Sequence, residues 1–568
     1  MLCITVAQIN PTIGDMQGNI ALMLNAARTA HDQCTHLVVF PEMSLTAYYP
    51  GDLLDDARFQ ARIELGLHEL KLATRETPDL LWVAGAPTRH TGVGKPFHNT
   101  LLVIQNGKVV LQYAKQLLPT YGIFDERRHF EPGPDIARVL RIGTTQVGFM
   151  ICEDGWNDEG LDYATNPFQR LADAAPDLVV SINASPSNIG KREQRHVVFG
   201  KACARHKLAL LYVNQVGGHD QLVYDGASFA VNALGQITFE ANRFVPDIRT
   251  LTFDTPSGEF SEPQGQELQV APKGLPTMAF YRQQIVLGLK DYARRCGFSK
   301  AVVGCSGGID SALTLALAAE ALGAENVVGI TMPSKFSSAG SVSDSEVLCR
   351  HLGVKLIEHP IKDIVAAFEH SFCAAFGQEI KGLALENLQA RARGTVLMEF
   401  SNTFGHLLLT TGNKSEVSVG FFTIYGDSNG GLGLIGDVFK TEVFALCRHI
   451  NATAGRELIP VAIIEKPPSA ELAPDQRDTD ALPPYEVLDE ILKHLIEGDR
   501  LPQWERERCD AEMARLQATP DGLALIAKVQ KLIARSEFKR RQTPPVLRVR
   551  GRAFGSGRQV PIAATHYV

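Results

Sequence analysis

In the first 250 residues or so, apolar positions fall in short β-branched and Leu-rich runs, and turn residues separate them. The runs at 4–7, 37–40, 81–85, 100–104, 109–113, 147–151, 178–182 and 210–214 predict strands. Apolar residues at helical spacing over 19–33 and 56–76 predict helices between some of them. Asn106-Gly107, between two apolar runs, predicts a tight hairpin, and Ala233-Leu234-Gly235 a second. This is the pattern of a mixed sheet protein with helices outside. Over 252–280 the pattern lapses into Pro, Gly, Ser and Glu with little periodicity, which predicts a linker. From Tyr281 onward helices and strands alternate: helix 281–296, strand 301–303, helix 312–320, strand 327–331, helix 341–352, strand 355–358 and strand 407–411. Such alternation predicts a parallel sheet with helices on both faces. The predicted division is therefore a domain over 1–251, a linker over 252–280 and a second domain over 281–568. The Pro- and Asp-rich stretch 466–484 predicts a mobile surface loop.

Bulk properties narrow the function. A chain of 568 residues should hold more than one domain. A formal net charge of −7 gives a nucleic-acid partner no support. No apolar run is long enough to cross a bilayer, and MLCITVAQINP reads as a strand and not as a signal peptide. The 10 cysteines are scattered without zinc-ligand spacing, which suits free thiols in a reducing cytoplasm.

The first chemical signature is Gly304-Cys305-Ser306-Gly307-Gly308-Ile309-Asp310-Ser311, between a predicted strand and an Ala/Leu-rich helix. Adjacent glycines let backbone approach a ligand, and the helix start offers unpaired N–H groups to a phosphate. Ser306 and Ser311 add hydroxyls, and Asp310 can hold a magnesium ion. The Gly-Lys-Ser/Thr ending of a Walker A loop is missing. The stretch resembles the SGGxDS loop of the PP-loop ATP pyrophosphatases; the plainer reading is a Gly-rich turn in some other doubly wound sheet.

In the N-terminal half Glu42, Lys115 and Cys152 each follow a predicted strand. Together they offer a carboxylate to move a proton, an ammonium to stabilise an oxyanion, and a thiol that a nearby cation would help ionise. Singly they read as a helix-start charge, a solvated lysine and a core thiol. Their order and contexts resemble the Glu-Lys-Cys triad of the nitrilase/amidase superfamily. The resemblance implies Glu42 as general base, Lys115 as oxyanion stabiliser and Cys152 as nucleophile. It also implies that Tyr121, Ser185 and Lys191 hold glutamine and that Glu126 orients Lys115.

Further along, Thr411 and Glu416 lie in a second turn of nucleotide-binding character, with Glu416 a second candidate magnesium ligand. Asn387 and Arg391 stand one helical turn apart, suited to a ribose, phosphate or carboxylate, and Lys539 lies in a basic cluster. In this order the stretches resemble the NAD synthetases, and the upstream nitrilase-type half resembles the glutamine-dependent members of that family. The resemblance implies a four-layer αββα sandwich followed by a doubly wound parallel sheet. The implied reaction is ATP-dependent amidation of deamido-NAD with ammonia from glutamine, through an adenylylated intermediate. ATP contacts are implied at 304–311 and Thr411, deamido-NAD contacts at Asn387, Arg391, Glu416 and Lys539, and Mg2+ at Asp310 and Glu416. A homo-oligomer through the synthetase half, with no nucleic-acid or membrane partner, is also implied. The alternative is a free-standing amidase with an accessory nucleotide-binding half, which would form no NAD.

Overall fold

The structure is a computed structural model and describes residues 1–263, 274–335, 337, 339–469, 472, 473, 476 and 478–564. Of the predicted linker, 264–273 lie outside the described residues, as do 470, 471, 474, 475 and 477 of the predicted loop. The chain divides into two compact units, Met1–Gly217 with Val223–Gly274, and Gly218–Leu222 with Leu275–Val568.

The first unit is built on two sheets. One has seven strands, in the order Glu259–Ser261, Asp247–Asp254, Leu2–Gln8, Leu37–Val39, Leu81–Arg89, Phe97–Gln105 and Lys108–Ala114. The other has six, in the order Ile237–Glu240, Phe229–Val231, Ala209–Asn214, Leu178–Asn183, Thr145–Ile151 and Val139–Ile142. Alternate residues of the two, such as Ile4, Val6 and Val39 against Phe149, Ile151 and Val180, interdigitate in one core. The opposite face of the six-stranded sheet packs Met150, Leu210 and Tyr212 against Phe168, Phe199 and Cys203 of the helices Pro167–Asp173 and Lys191–His206. Helices Met16–Asp32 and Ala57–Ala73 belong to the seven-stranded sheet. The order of layers is helix, sheet, sheet, helix.

Local chemistry accounts for the turns. Asn106 and Gly107 both have positive φ, 46° and 80°, as a two-residue hairpin of this hand requires. The predicted linker is partly structured: residues up to 254 complete a strand beside Leu2–Gln8, and Glu259–Ser261 folds back on it as the edge strand. Leu251, Phe253 and Phe260 are buried there, and this apolar alternation holds 252–261 in the sheet despite the Pro and Gly around it.

The second unit holds a five-stranded parallel sheet in the order Lys355–Glu358, Val327–Thr331, Ala301–Gly304, Leu407–Thr410, Leu432–Gly433. The strand sequence runs outward from Ala301–Gly304 in both directions, so a crevice opens between the ends of that strand and Leu407–Thr410. Helices Thr277–Arg295, Ile309–Leu322 and Lys440–Ala454 pack together, while Leu383–Phe404 supplies Ala392 to the apolar cluster around Val302 and Leu408. A separate helical cluster, Tyr485–Ile496, Gln503–Gln517 and Pro520–Arg535, packs around Phe439 and Phe554.

Candidate active sites

In the first unit three strand ends converge. Glu42 follows Leu37–Val39, Lys115 follows Lys108–Ala114, and Cys152 follows Thr145–Ile151. Lys115 Nζ lies 2.8 Å from Glu42 Oε1 and 2.6 Å from Glu126 Oε1, and all three side chains are within 1 % of full burial. Asn99 Nδ2 donates to Glu42 Oε1 at 2.7 Å, the Ala184 N–H to Glu42 Oε2 at 2.9 Å, and the Tyr48 hydroxyl to Glu126 Oε1 at 2.8 Å. One ammonium thus serves two carboxylates, and fixed donors hold both of them. Burial pushes the Glu126 carboxyl up to about 7, against the pull of Lys115.

Cys152 opens a short 3-10 turn directly after the strand, with φ of 43°, a strained position for a residue other than glycine. Asp154, two residues on, accepts from the N–H groups of Gln116 and Leu117 at 3.0 and 2.8 Å, and from the Tyr113 hydroxyl at 2.7 Å. It therefore ties the thiol-bearing turn to the segment after Lys115. Burial raises the Cys152 thiol well above its ordinary range, Glu42 adds to this, and Lys115 only partly opposes it. Lys115 pulls the thiol toward ionisation as expected, but burial and Glu42 outweigh that pull.

Beside the thiol, Glu153 accepts from the hydroxyls of Tyr121 and Tyr163, at 3.1 and 2.9 Å. Lys191, at the start of its helix, sets Nζ 3.7 Å above the Trp156 ring, and its charge reaches Glu153. Ser185 is buried, with Oγ accepting from Arg195 Nε at 3.1 Å, and Arg195 pairs with Asp225 at 2.8 Å. Tyr121 and Lys191 thus flank the Cys152 turn. Asn99, Trp156 and Arg195 carry no signal in the sequence; Glu153 and Asp154 stand in the signature Ile151-Cys152-Glu153-Asp154, but sequence reasoning gave them no role.

In the second unit a cavity of about 440 Å³ occupies the crevice at the strand ends. Gly307 has φ of +75°, and a Cβ on it would come within 2.4 Å of the Ser341 carbonyl oxygen, so the turn requires glycine there. Ser306 Oγ accepts from the Gly308 N–H at 3.2 Å, which shapes the turn ahead of the helix Ile309–Leu322. Asp310 Oδ2 lies 2.5 Å and Glu416 Oε1 3.2 Å from Lys440 Nζ. Asn413 Nδ2 donates to Asp310 Oδ1 at 2.9 Å. Asn413 also caps the helix Lys414–Val419 in a reciprocal box with Glu416, and this fixes the Glu416 backbone. Burial raises the Glu416 carboxyl to about 8, with Lys440 opposing and Asp310 adding to the rise. Two carboxylates converging on one cation are a donor set that fits Mg2+, which takes a few carboxylate oxygens and fills its shell with water and phosphate.

Asn387, Thr411 and Lys539 line this cavity, with Lys440, Lys466 and Arg393. Lys539 Nζ donates to the carbonyls of Gly420 and Phe422, at 2.9 and 2.8 Å. Arg391 is the exception among the candidates. It is exposed, its Nε donates to the Ile424 carbonyl at 3.2 Å, and it is not among the lining residues. The cavity follows a stripe of this helix from Leu383 through Asn387 and Ala390 to Gly394 and Leu397, and four positions turn Arg391 about 40° beyond Asn387, off the edge of that stripe. The sequence offers Lys440 as a cation after Gly436-Asp437 but not its pairing, which distance in the chain from both carboxylates hides. Leu472 and Gln476 line the cavity, while Glu471 lies outside the described residues.

Known proteins match both halves. Residues 3–258 match the carbon-nitrogen hydrolase family and residues 281–543 the NAD synthase family. The chain is 43 % identical to a glutamine-dependent NAD(+) synthetase of Synechocystis sp., over 99 % of each chain. It is 36 % identical to one of Thermotoga maritima, over 99 % of this chain and 98 % of that one. The solved glutamine-dependent NAD+ synthetase of Acinetobacter baumannii, in complex with ADP, superposes with a TM-score of 0.76 at 35 % identity, covering 99 % of this chain and 98 % of that one.

Proposed function

The chain belongs to the family of glutamine-dependent NAD(+) synthetases, and from that premise we propose how its residues divide the reaction. It is a ligase that amidates deamido-NAD to NAD, consuming ATP and drawing nitrogen from glutamine. The observation that supports the division most is the buried Lys115, shared by Glu42 and Glu126 beside the Cys152 thiol.

In the first unit Glu42 takes the Cys152 proton as sulfur attacks the glutamine amide carbon. Burial and Glu42 both disfavour the thiolate, so a base must take the proton as sulfur attacks. Lys115 stabilises the oxyanion of the tetrahedral intermediate. Glu42 returns the proton to the leaving ammonia, then activates the water that hydrolyses the thioester to glutamate. Lys191 and Ser185 hold the glutamine carboxylate, and Glu153 with Tyr121 holds its ammonium group.

In the second unit the turn 304–308 and the following helix start receive the ATP phosphates. Asp310 and Glu416 would hold Mg2+, which neutralises phosphate charge. Asn387 and Lys539 hold deamido-NAD from within the cavity, Arg391 meets it only outside that lining, and Thr411 contacts ATP. The nicotinate carboxylate attacks the α-phosphorus, releasing pyrophosphate, and ammonia then displaces AMP from the acyl adenylate. We place residues 1–251 in the glutaminase half and 281–568 in the synthetase half. The synthetase half also supports a homo-oligomer: Phe368, Phe372 and Phe376 on the helix Lys362–Phe376 are exposed, as is Phe404. No helix among the described residues is long and apolar enough to cross a membrane, and free cysteines suit the reducing cytoplasm.

The test is NAD formation from deamido-NAD and Mg-ATP, with glutamine or with ammonium. Both nitrogen sources should support the wild-type chain. Failure of ammonium in a chain that still hydrolyses glutamine would remove the synthetase assignments.

A further inference from the structure

At the surface beside the first site, two turns of the first unit meet. The 3-10 turn Gly51–Asp55 brings Asp52 and Asp55, and the residue after the turn Glu126–Arg128 brings His129. One ligand atom from each lies within 4.8 Å of the others. His129 Nε2 stands 3.3 Å from Asp52 Oδ1 and 3.5 Å from Asp55 Oδ2. The histidine is 2 % exposed, while the two aspartates are 65 % and 66 % exposed.

Two observations separate this cluster from an ordinary group of surface acids. First, Nε2 is buried and makes no hydrogen bond, although it points between the carboxylates. Second, the far side of the ring is fixed. The Tyr49 hydroxyl donates its proton to the Asp125 carbonyl at 3.2 Å, and it lies 2.5 Å from His129 Nδ1. In the tautomer whose Nδ1–H donates to the Tyr49 oxygen, Nε2 carries a lone pair free to ligate. An imidazole held by its distal N–H with its other nitrogen open is the arrangement of a metal-ligating histidine. Ligands about 2.0–2.1 Å from a tetrahedral zinc stand roughly 3.3–3.4 Å apart, close to the separations seen from His129.

We propose that Asp52, Asp55 and His129 form a site for one divalent transition-metal ion of the zinc or cobalt class. The imidazole selects against Mg2+ and Ca2+, which prefer oxygen alone. The ion faces one competitor: Arg128 Nε lies 2.8 Å from Asp52 Oδ1 and its terminal nitrogen donates to Oδ2 at 3.0 Å. Metal binding displaces this exposed pair. Occupancy joins the turn at 51–55 to the turn that begins with Glu126, the carboxylate that holds Lys115.

The experiment is calorimetric titration of the EDTA-treated full chain with Zn2+ in saturating Mg2+, which fills oxygen-donor sites. The same titration with Co2+ is read by its visible bands, where thiolate ligation would show as a sulfur-to-metal charge-transfer band. One equivalent should bind without that band. Asp55→Asn and His129→Asn should weaken it by at least about tenfold, and Tyr49→Phe by about tenfold, the scale on which outer partners of a ligating histidine act. Arg128→Gln should tighten it, an effect of opposite sign that no merely structural role produces. Identical zinc isotherms for wild type, Asp55→Asn and His129→Asn would overturn the proposal. Should His129→Asn fail to fold, the exposed Asp55→Asn and Arg128→Gln decide it alone.

Discussion

Each unit buries a lysine between two carboxylates, Lys115 between Glu42 and Glu126 in the first and Lys440 between Asp310 and Glu416 in the second. The motif is the same and the surroundings are not. Around Lys115 every side chain is enclosed, and Asn99, the Ala184 N–H and the Tyr48 hydroxyl fix the carboxylates from behind. Around Lys440 the carboxylates keep 19 % and 16 % of their side-chain surface and line a cavity of about 440 Å³. The first arrangement is preorganised: its charges stay where a transition state needs them. The second is exchangeable, because water, a metal ion or a phosphate can replace each partner in turn.

The largest effect that separates the two is chemical. Cys152→Ala should abolish glutamine-dependent NAD formation and leave ammonium-dependent formation intact, as measured by steady-state NAD production with each nitrogen source. Loss of both in a folded variant would mean that the two sites are not separable. Next is stability, followed by urea denaturation. Lys115→Ala strands two enclosed carboxylates and should cost about 3–5 kcal/mol, the range for breaking a buried pair. Lys440→Ala should cost less, about 1–3 kcal/mol, because its carboxylates can be hydrated from the cavity. Millimolar Mg2+ should restore Lys440→Ala and do nothing for Lys115→Ala. Equal losses, or equal rescue, would erase the distinction between fixed and exchangeable.

The two regions also differ in how far sequence exposes them. The strands ending at Glu42, Lys115 and Cys152 were legible because each motif directly follows an apolar run, and Asn106-Gly107 because a hairpin is local. The Gly-rich turn was legible for the same reason. Asn413 with Glu416 three positions later is also a local signal, that of a helix-capping box. What stayed hidden depends on distance in the chain. Asn99 reaches Glu42 across neighbouring parts of one sheet, and Lys440 reaches Asp310 across the switch in strand order. The protonation state of Cys152 was hidden too. Adjacency of a cation argues for a thiolate, but the extent of burial decides, and burial is a property of the fold. Arg391 went the other way: periodicity placed it near Asn387 and could not say how wide a stripe of the helix the cavity covers.

The pH dependence of the first unit tests its preorganisation at Asp154. Burial raises this carboxyl from 3.8 to about 6, and the hydrogen bonds it accepts only partly oppose the rise. The native state therefore binds the proton more tightly than the unfolded chain. The stability this lends is fully present below pH 3.8 and is lost as pH rises through about 6. Measured against Asp154→Asn, which cannot ionise, wild-type stability should fall by on the order of 3 kcal/mol between about pH 4 and pH 7 and level off above that. A flat difference would mean that the backbone donors of Leu117 and Gln116 fully offset the burial.

The smallest effect concerns the rim of the first site, where the fixed network gives way to substrate contacts. Lys191 stands 3.7 Å above the Trp156 ring, and both residues are half-buried. A cation over an aromatic face in such a setting gains about 1–2 kcal/mol. Trp156→Leu keeps an apolar side chain but removes that attraction, so the ammonium is no longer held in one place to meet the glutamine carboxylate. The KM for glutamine should rise about 5- to 30-fold, the same energy expressed as affinity. The glutaminase kcat should change little, because Glu42, Lys115 and Cys152 keep their own partners, and the ammonium-dependent rate should not move. A fall in kcat with KM unchanged would instead place Trp156 in the packing that shapes the Cys152 turn, extending the rigid part of the site outward by one residue from where Glu153 now marks its edge.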